Sequence, residues 1–219
     1  MPTMTQDPTI AQIRLKLAEI DRSSHTSTKF QDDLLAFVDK HCFSGFSVVE
    51  VGCYLGGLTA QLALAAKQAG LGFDVIDIDH GFLNIAADTV AQVGLTEHVR
   101  FHAMDLATFV RNSPDYRKPM LIFVDGDHRY DGVVADIRAI RSFRSLPHAC
   151  AFHDFSLRYA DGPLTDVRVD CAILDEFGSD VALTPIGEIA GHGVLRTEPA
   201  DDRHFHAMGQ SEGVIIVLD

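Results

Sequence analysis

Apolar residues recur every three or four positions in two stretches near the start of the chain, residues 10–21 and 29–41. This spacing places apolar side chains on one face of a helix, so we predict two amphipathic α-helices. The segment between them, residues 22–28, is rich in serine and threonine, which cap helices and form turns. We expect a connecting loop there, and both a plain surface loop and a loop that folds over a ligand fit its composition.

From residue 47 onward, short apolar runs alternate with helical stretches. The runs 48–49, 75–76 and 121–124 are nearly continuously apolar, which is typical of strands covered on both faces. Alternating strands and helices predict a parallel sheet with helices on both sides. The predicted strands span 47–51, 72–78, 99–102, 119–124 and 149–155, and the predicted helices span 59–69, 82–93, 106–110 and 132–143.

The pattern changes after residue 155. We predict a helix over residues 165–177 and two strands, 181–186 and 213–218, that can pair as an antiparallel edge. The intervening residues 197–210 are hydrophilic and have little to bury, so we expect a mobile loop. The histidines of this part of the chain belong to no motif, and we expect them to be exposed; they are His192, His204 and His206.

Composition and charge narrow the class of protein. A chain of 219 residues with 47% hydrophobic content can bury a full core without disulfides or metals, and one α/β domain is the simplest partition. The net charge of −13 argues against nucleic acids and anionic membranes as partners, because binding either normally needs clustered Lys and Arg. Three arginines do recur at helical spacing, but we interpret Arg138, Arg141 and Arg144 as a solvated helix face.

The cysteines and the apolar runs indicate in which cellular compartment the protein is expected. The four cysteines show no CxxC pair and no spacing typical of a zinc site, so we expect them to be reduced. Residues 1–9 lack a signal-peptide pattern, and no apolar run is long enough to cross a bilayer. We therefore expect a cytoplasmic protein, and a homo-oligomer is compatible with this sequence.

Three glycines, Gly52, Gly56 and Gly57, follow the first predicted strand and precede a helix. Such a turn brings backbone NH groups and a helix N-terminus to the carboxyl edge of the sheet, where a ligand can approach. Three residues separate Gly52 from Gly56, so neither the dinucleotide turn GxGxxG nor the phosphate loop GxxxxGK[ST] is present. The segment reads ExGxxxG, although a glycine turn also occurs as a purely structural element of α/β proteins.

The ExGxxxG segment resembles the first motif of class I S-adenosylmethionine-dependent methyltransferases. The resemblance implies S-adenosylmethionine as the cofactor and an α/β, Rossmann-like, doubly wound seven-stranded sheet, mostly parallel with an antiparallel C-terminal edge. It also implies that residues 46–219 form the cofactor-binding part of a single domain and that residues 1–45 add N-terminal helices packed on it. The residues implied to hold the cofactor here are Glu50, Gly52, Cys53, Tyr54 and Gly56.

Two further acidic positions resemble cofactor-binding positions of the same family. Asp77 ends the second predicted strand, where a carboxylate can accept both hydroxyls of a ribose. Asp79 is the alternative, although capping of the next helix suits it better. By resemblance Asp105 and the backbone of Leu106 read the adenine amino edge, and Asp105 can equally cap a helix or serve both roles.

The most chemically dense stretch, residues 125–130, reads DGDHRY and follows the most hydrophobic run. His153 and Asp154 end the next predicted strand, so they return to the same edge of the sheet as Asp125. Together these motifs resemble a class I branch related to metal-dependent small-molecule O-methyltransferases. That resemblance implies a divalent cation, such as Mg²⁺ or Mn²⁺, held by Asp125, His153 and Asp154. It also implies that Asp125 borders the cofactor. The histidine favours manganese, iron or zinc over magnesium.

The same residues can act without a metal. Methyl transfer from a sulfonium needs an aligned nucleophile and removal of its proton, and His128 or His153 can accept that proton with Asp125 as the orienting group. The structural alternative for His128 is a bond to Asp136 or to a backbone carbonyl, and we interpret Tyr130 and Asp136 as supporting residues.

The predicted function is methyl transfer to an oxygen of a small hydroxylated molecule, with metal or histidine assistance. The alternatives are a metal-dependent hydroxylase or hydrolase on the same fold, and a non-catalytic protein that binds S-adenosylmethionine. Hydrolases of the HD kind carry their pair on helices, whereas His153 and Asp154 end a predicted strand, which argues against that version.

Overall fold

A computed structural model describes residues 8–189, 194–195, 204–207 and 211–218. The α-helices are α1 Ile10–Glu19, α2 Thr28–Lys40, α3 Gly57–Gln68, α4 His80–Gln92, α5 Leu106–Asn112, α6 Tyr130–Arg141 and α7 Val169–Phe177. The strands are β1 Ser47–Val51, β2 Gly72–Asp77, β3 Arg100–Ala103, β4 Pro119–Val124, β5 Ala149–Phe152, β6 Leu157–Tyr159, β7 Thr184–Ile186, β8 Val194–Leu195, β9 His204–His206 and β10 Gly213–Val217. Short 3-10 turns lie at Thr96–His98 and Gly162–Leu164.

Seven strands form the main sheet in the order β3-β2-β1-β4-β5-β10-β7. The first five pair in parallel, and β10 lies antiparallel between β5 and β7. This arrangement confirms the predicted sheet with its antiparallel C-terminal edge. Strand order reverses between β1 and β4, and at such a point the loops diverge and leave a crevice at the carboxyl ends of the strands.

Helices cover both faces of the sheet, as the apolar runs predicted. All side chains of β1 and β4 are buried, because successive residues of each strand point into opposite cores. Val48 packs in the core on the side of α1, α2 and α3, whereas Val49 packs on the side of α5, α6 and α7. The two predicted N-terminal helices are confirmed, and Thr9 and Ser27 cap them with side-chain oxygens.

The helix predicted over residues 165–177 begins later than the pattern indicated. Residues 166–168 run beside residues 128–130 instead: Tyr130 N donates to Asp166 O (2.9 Å), Arg168 N donates to His128 O (3.3 Å), and Arg129 bridges Val167. These backbone bonds hold the segment extended, so α7 starts only at Val169. The predicted strand 181–186 is likewise shorter, since only Thr184–Ile186 pairs with β10.

A second, three-stranded sheet, in the order β6-β9-β8, was not predicted. The loop prediction for residues 197–210 is wrong at His204–His206, which form β9; most of the remaining positions, and His192, lie outside the described residues. His204 is exposed as expected, but His206 is buried, and its Nδ1 lies 2.9 Å from Ser156 Oγ. Pairing of β9 with β6 therefore turns one of the expected surface histidines inward.

The cysteines and the arginine-rich helix face agree with what the composition predicted. All four cysteines are free thiols. The predicted arginine face forms surface ion pairs, from Arg138 and Arg141 to Glu176 and from Arg144 to Asp115. No helix in the described part of the chain is both long and apolar enough to cross a membrane.

A buried carboxylate fastens β2 to the edge strand β3. Asp74 is 1% exposed and accepts hydrogen bonds from Arg100 and from the Tyr116 hydroxyl. His102 Nε2 lies 2.7 Å from Asp74 Oδ1. Burial alone would raise the pKa of Asp74, but its hydrogen bonds to His102, Arg100 and Tyr116 lower it to about 2.

We expect Asp74→Asn to lower the free energy of unfolding at pH 7 by about 2 kcal/mol, measured by urea denaturation. Because the pKa in the folded state lies below the unfolded value, this stabilisation is present above about pH 4 and is lost as the pH falls towards about 2. The variant should lack that acid-dependent loss. Asp115→Asn, which breaks an exposed ion pair, is the control and should change stability by less than about 0.5 kcal/mol. Equal stability of wild type and Asp74→Asn at pH 7 would contradict this assignment.

Candidate active site

The glycine loop after β1 depends on a close approach to the end of β4. Gly52 has φ +85°, and a Cβ there would lie 2.4 Å from the carbonyl oxygen of Asp125. Gly56 also has a positive φ, +83°, where it precedes α3, and Tyr54 adopts φ 44°. The sequence therefore needs glycine at position 52 for two reasons, backbone conformation and space.

The predicted loop at residues 22–28 packs directly on this glycine turn. A Cβ at Gly57 would lie 2.5 Å from the carbonyl oxygen of Arg22, and the rings of His25 and Tyr54 are 4.6 Å apart. The loop therefore lies against the glycine turn, at the same edge of the sheet, which is the position that a loop covering a ligand there would need.

A cavity of about 600 Å³ opens at this edge of the sheet. The predicted cofactor residues that line it are Gly52, Tyr54, Asp77, Asp105, Leu106 and Asp125. The other predicted cofactor residues, Glu50, Cys53 and Gly56, are not among its lining residues and lie in and beneath the turn. The structure thus brings most of the predicted cofactor set into one cavity.

Two of the acidic residues around the cavity have separate structural tasks. Asp79 caps α4 by accepting from the backbone N of Gly81 and Phe82, which confirms the predicted capping role. Asp77 accepts from Cys53 N (3.0 Å) and Asp79 N (2.9 Å), so it ties the glycine turn to the end of β2. This leaves Asp77 as the carboxylate that faces the cavity without capping a helix.

Asp105 caps α5 with one oxygen, since Thr108 N donates to Oδ1 at 2.6 Å. Asp105 also lines the cavity, so the capping residue borders the predicted ligand site. Glu50 is buried beneath the turn, and its Oε2 has no hydrogen-bond partner among the described residues. Burial raises the pKa of Glu50, and the nearby carboxylates of Asp125 and Asp77 raise it further.

Apolar side chains that the sequence analysis missed complete the cavity. Ile78 is 76% exposed, and Phe82 and Met104 line the same cavity. Exposed apolar residues grouped in a concave site are typical of a pocket for a flat ring. The available signal was the position of Ile78, an apolar residue between two carboxylates directly after a strand.

A cluster of acidic and imidazole groups lies beside the cavity and shares Asp125 with it. Asp125 Oδ1 is 2.9 Å from His153 Nδ1 and 3.2 Å from His128 Nε2. His128 Nδ1 is 2.8 Å from Asp154 Oδ2. The predicted catalytic residues Asp125, His128 and His153 therefore meet, and His128 is held by Asp154 rather than by Asp136.

The cluster has the composition of a metal site. Asp125, His128 and His153 each offer one ligand atom, and these atoms all lie within 4.8 Å of one another. The predicted ligand Asp154 lies behind this group, on the other nitrogen of His128, at a residue with φ 54°. His128 Nε2 is buried and makes no hydrogen bond of good geometry, and its near polar neighbour is Asp125 Oδ1, at 3.2 Å, a second atom of the same group.

Mutual electrostatics stabilise the charged forms within the cluster. Burial alone would raise the pKa of Asp125, but His153 and His128 bring it below its usual range. Burial lowers the pKa of His128, yet Asp125 and Asp154 raise it to about 9. The cluster thus combines negative carboxylates with imidazoles in a site that is partly shielded from water.

Glu212 is a site residue that sequence reasoning missed. It is 2% exposed, and its Oε1 accepts from Ser27 N at 2.7 Å and lies 3.4 Å from His153 Nε2. Its Oε2 accepts from the Ser27 hydroxyl and from Glu188 N. Glu212 thereby joins the loop at residues 22–28 to the catalytic edge. No motif marks it; the one signal was a carboxylate directly before an apolar strand.

We expect Gly52→Ala to lower the free energy of unfolding by about 3 kcal/mol or more, because the added Cβ is both strained and in contact with Asp125 O. Gly45→Ala is a matched control: its φ is +82°, but nothing lies within 4 Å of the added Cβ. That variant should lose only about 1 kcal/mol, the cost of the left-handed conformation. Urea denaturation measures both, and equal losses would contradict the proposed close contact.

Comparison with known proteins agrees with this geometry. Residues 49–155 match the family described as a methyltransferase domain. No curated protein sequence matched the chain. The O-methyltransferase TomG from Streptomyces achromogenes, crystallised with SAM and involved in tomaymycin synthesis, is 17% identical, with a TM-score of 0.58 over 98% of this chain and 92% of that one.

A second solved structure is the O-methyltransferase from Bacillus cereus in complex with SAH, which is 16% identical with a TM-score of 0.60. The match covers 99% of this chain and 94% of that chain. An SAM-dependent O-methyltransferase from Thermotoga maritima is 13% identical, with a TM-score of 0.60 over 96% of this chain and 71% of that one. Residues 49–155 thus match a methyltransferase domain, and the chain shares the fold of these methyltransferase structures.

Proposed function

We propose that the protein transfers the methyl group of S-adenosylmethionine to an oxygen of a small hydroxylated molecule. The observation that carries this proposal is the shared position of Asp125, which lines the cofactor-sized cavity and belongs to the imidazole cluster. A methyl donor in the cavity would therefore meet an acceptor at the cluster. Structural neighbours crystallised with SAM or SAH support the choice of cofactor.

The residues around the cavity suit each part of this cofactor. Asp77 faces the cavity at the end of β2, where its carboxylate can accept the two ribose hydroxyls. Ile78 and Met104 offer apolar surface to the adenine ring. The polar methionine end then extends past Gly52 towards Asp125, which places the sulfonium methyl group next to the cluster.

The residues of the cluster also fit a divalent cation. Asp125, His128 and His153 would be its ligands, and the close approach of their ligand atoms, all within 4.8 Å of one another, supports this fit. Asp154 and Glu212 approach the opposite ring nitrogens of His128 and His153, as carboxylates commonly orient metal-binding imidazoles. A bound cation would lower the pKa of the acceptor hydroxyl and hold its oxygen in line with the methyl group. Two imidazoles with one carboxylate favour manganese, iron or zinc over magnesium.

The same side chains provide a general base if no cation is needed. The neutral form of His128 is the minor form at neutral pH, because its pKa is raised to about 9, and this form can accept the proton of the acceptor hydroxyl. Asp125 and Asp154 then stabilise the imidazolium that results. Both mechanisms favour a hydroxyl acceptor, because each assists removal of a proton from oxygen. Titration of the metal-stripped protein with divalent cations distinguishes the two mechanisms.

We expect S-adenosylmethionine and S-adenosylhomocysteine, but not NAD or NADP, to raise the melting temperature, because only a ligand of the native state stabilises it. Asp77→Asn should weaken S-adenosylhomocysteine binding about tenfold, through loss of a charged acceptor. Asp79→Asn is the matched control, since asparagine caps a helix as well as aspartate and should leave affinity nearly unchanged. The absence of any shift with either sulfur ligand would contradict the proposed function.

We expect His128→Ala to weaken Mn²⁺ binding at least about tenfold, measured by titration calorimetry on protein first stripped with EDTA. His98→Ala, at an exposed histidine in the turn after α4, should bind the metal like the wild type. If the stripped wild type takes up no Mn²⁺, Fe²⁺ or Zn²⁺, the metal mechanism is wrong and the His128 base mechanism is favoured.

A further inference from the structure

One face of α6 forms a wall of the cofactor cavity. Gly132, Ala135 and Asp136 are spaced three and four residues apart, so they lie on the same side of the helix, and all three line the cavity. Gly132 is required by space, because a Cβ there would lie 2.7 Å from the side chain of Asp127. The wall is therefore made of two small residues and one carboxyl group.

The Asp136 carboxyl group has no hydrogen bond or ion pair to any other residue in the described part of the chain. Burial, together with the nearby carboxylates of Asp127 and Asp105, raises the pKa of Asp136 to about 7, against a weaker opposite effect of His128. A partly buried carboxyl group without a partner is destabilising, and one that lines a ligand cavity has a natural use as a binding group.

The shape of the cavity indicates which part of the cofactor lies beside Asp136. Ile78, Met104 and Leu106 offer apolar surface, and Gly132 and Ala135 leave room for a flat ring against α6. The sulfonium end must reach the cluster around Asp125, so the adenine ring occupies the far end of the cavity. Asp105 and Asp136 both line that cavity, and they are close enough for their charges to interact.

We propose that Asp136 on α6 is a second carboxyl group that binds the exocyclic 6-amino group of the adenine ring, beside Asp105, to which the family resemblance already gives this role. Asp136 thereby strengthens the selection of adenosine over a 6-oxopurine nucleoside. This inference rests on the proposed function, because it takes S-adenosylmethionine as the ligand. The amino group carries two N–H donors, and the carboxyl groups of Asp136 and Asp105 both line the cavity, so each can accept one of them. A bound amino group also relieves the repulsion between these two acids.

A 6-oxopurine reverses this pairing. Its exocyclic oxygen is a hydrogen-bond acceptor, so it would face two carboxylates that have no proton to donate. Binding sites discriminate strongly against a ligand that leaves buried polar groups unpaired. Replacement of Asp136 by asparagine removes one charge and supplies an amide N–H that can donate to the oxygen. The variant should therefore bind the 6-oxo ligand relatively better.

The test compares S-adenosylhomocysteine with its deaminated analogue S-inosylhomocysteine by titration calorimetry at pH 8.5, where Asp136 is ionised. The wild type should prefer the adenosine ligand by about 100-fold or more, and Asp136→Asn should reduce that preference at least about tenfold. Asp131→Asn, at an exposed aspartate on the first turn of α6, should keep the wild-type preference.

If the asparagine variant does not fold, Asp136→Ala replaces it in the same measurement. This variant should also reduce the preference for the adenosine ligand, because it removes the charge that repels the 6-oxo group. If a folded Asp136→Asn or Asp136→Ala variant keeps the wild-type ratio of the two affinities within about twofold, the proposed role of Asp136 is wrong, whereas the proposed function is unaffected. A wild type that binds neither ligand overturns the proposed function instead, so the two failures are distinguishable.

Discussion

The contact between Gly52 and the backbone of Asp125 is the constraint on which the rest of the site depends. It brings the turn after β1 against the end of β4, where Asp125 N donates to Val51 O at 2.8 Å. Any side chain at position 52 would separate the two segments. Because Asp125 belongs both to the cavity and to the imidazole cluster, this single contact sets the position of the cavity relative to the cluster.

A network of charged groups holds together the imidazole cluster beside the cavity. Three carboxylates, Asp125, Asp154 and Glu212, surround two imidazoles in a partly buried environment, and each group lies within ion-pair distance of an oppositely charged neighbour. Glu212 extends this network to Ser27, so the loop before α2 is held at the catalytic edge by the same interactions that orient His153. The N-terminal helices are therefore connected to the chemistry as well as to the core.

The sequence predicted the fold well because burial on both faces leaves a clear pattern, as in β4. It also predicted that Asp125 and His153 meet, since parallel strands end at one edge. It did not predict that Asp154 turns behind His128, which depends on a left-handed backbone at Asp154. Glu212 was missed because its partners Ser27 and His153 are distant in the chain and no local pattern records the contact.

A crystal structure with S-adenosylhomocysteine and Mn²⁺, with anomalous scattering recorded from the metal, tests the central claim most directly. The proposed function predicts the adenine ring between Ile78 and the Ala135 face of α6, the sulfur atom beside Asp125, and an anomalous peak among Asp125, His128 and His153. A nucleoside bound elsewhere, or a sulfur atom directed away from the cluster, would contradict it.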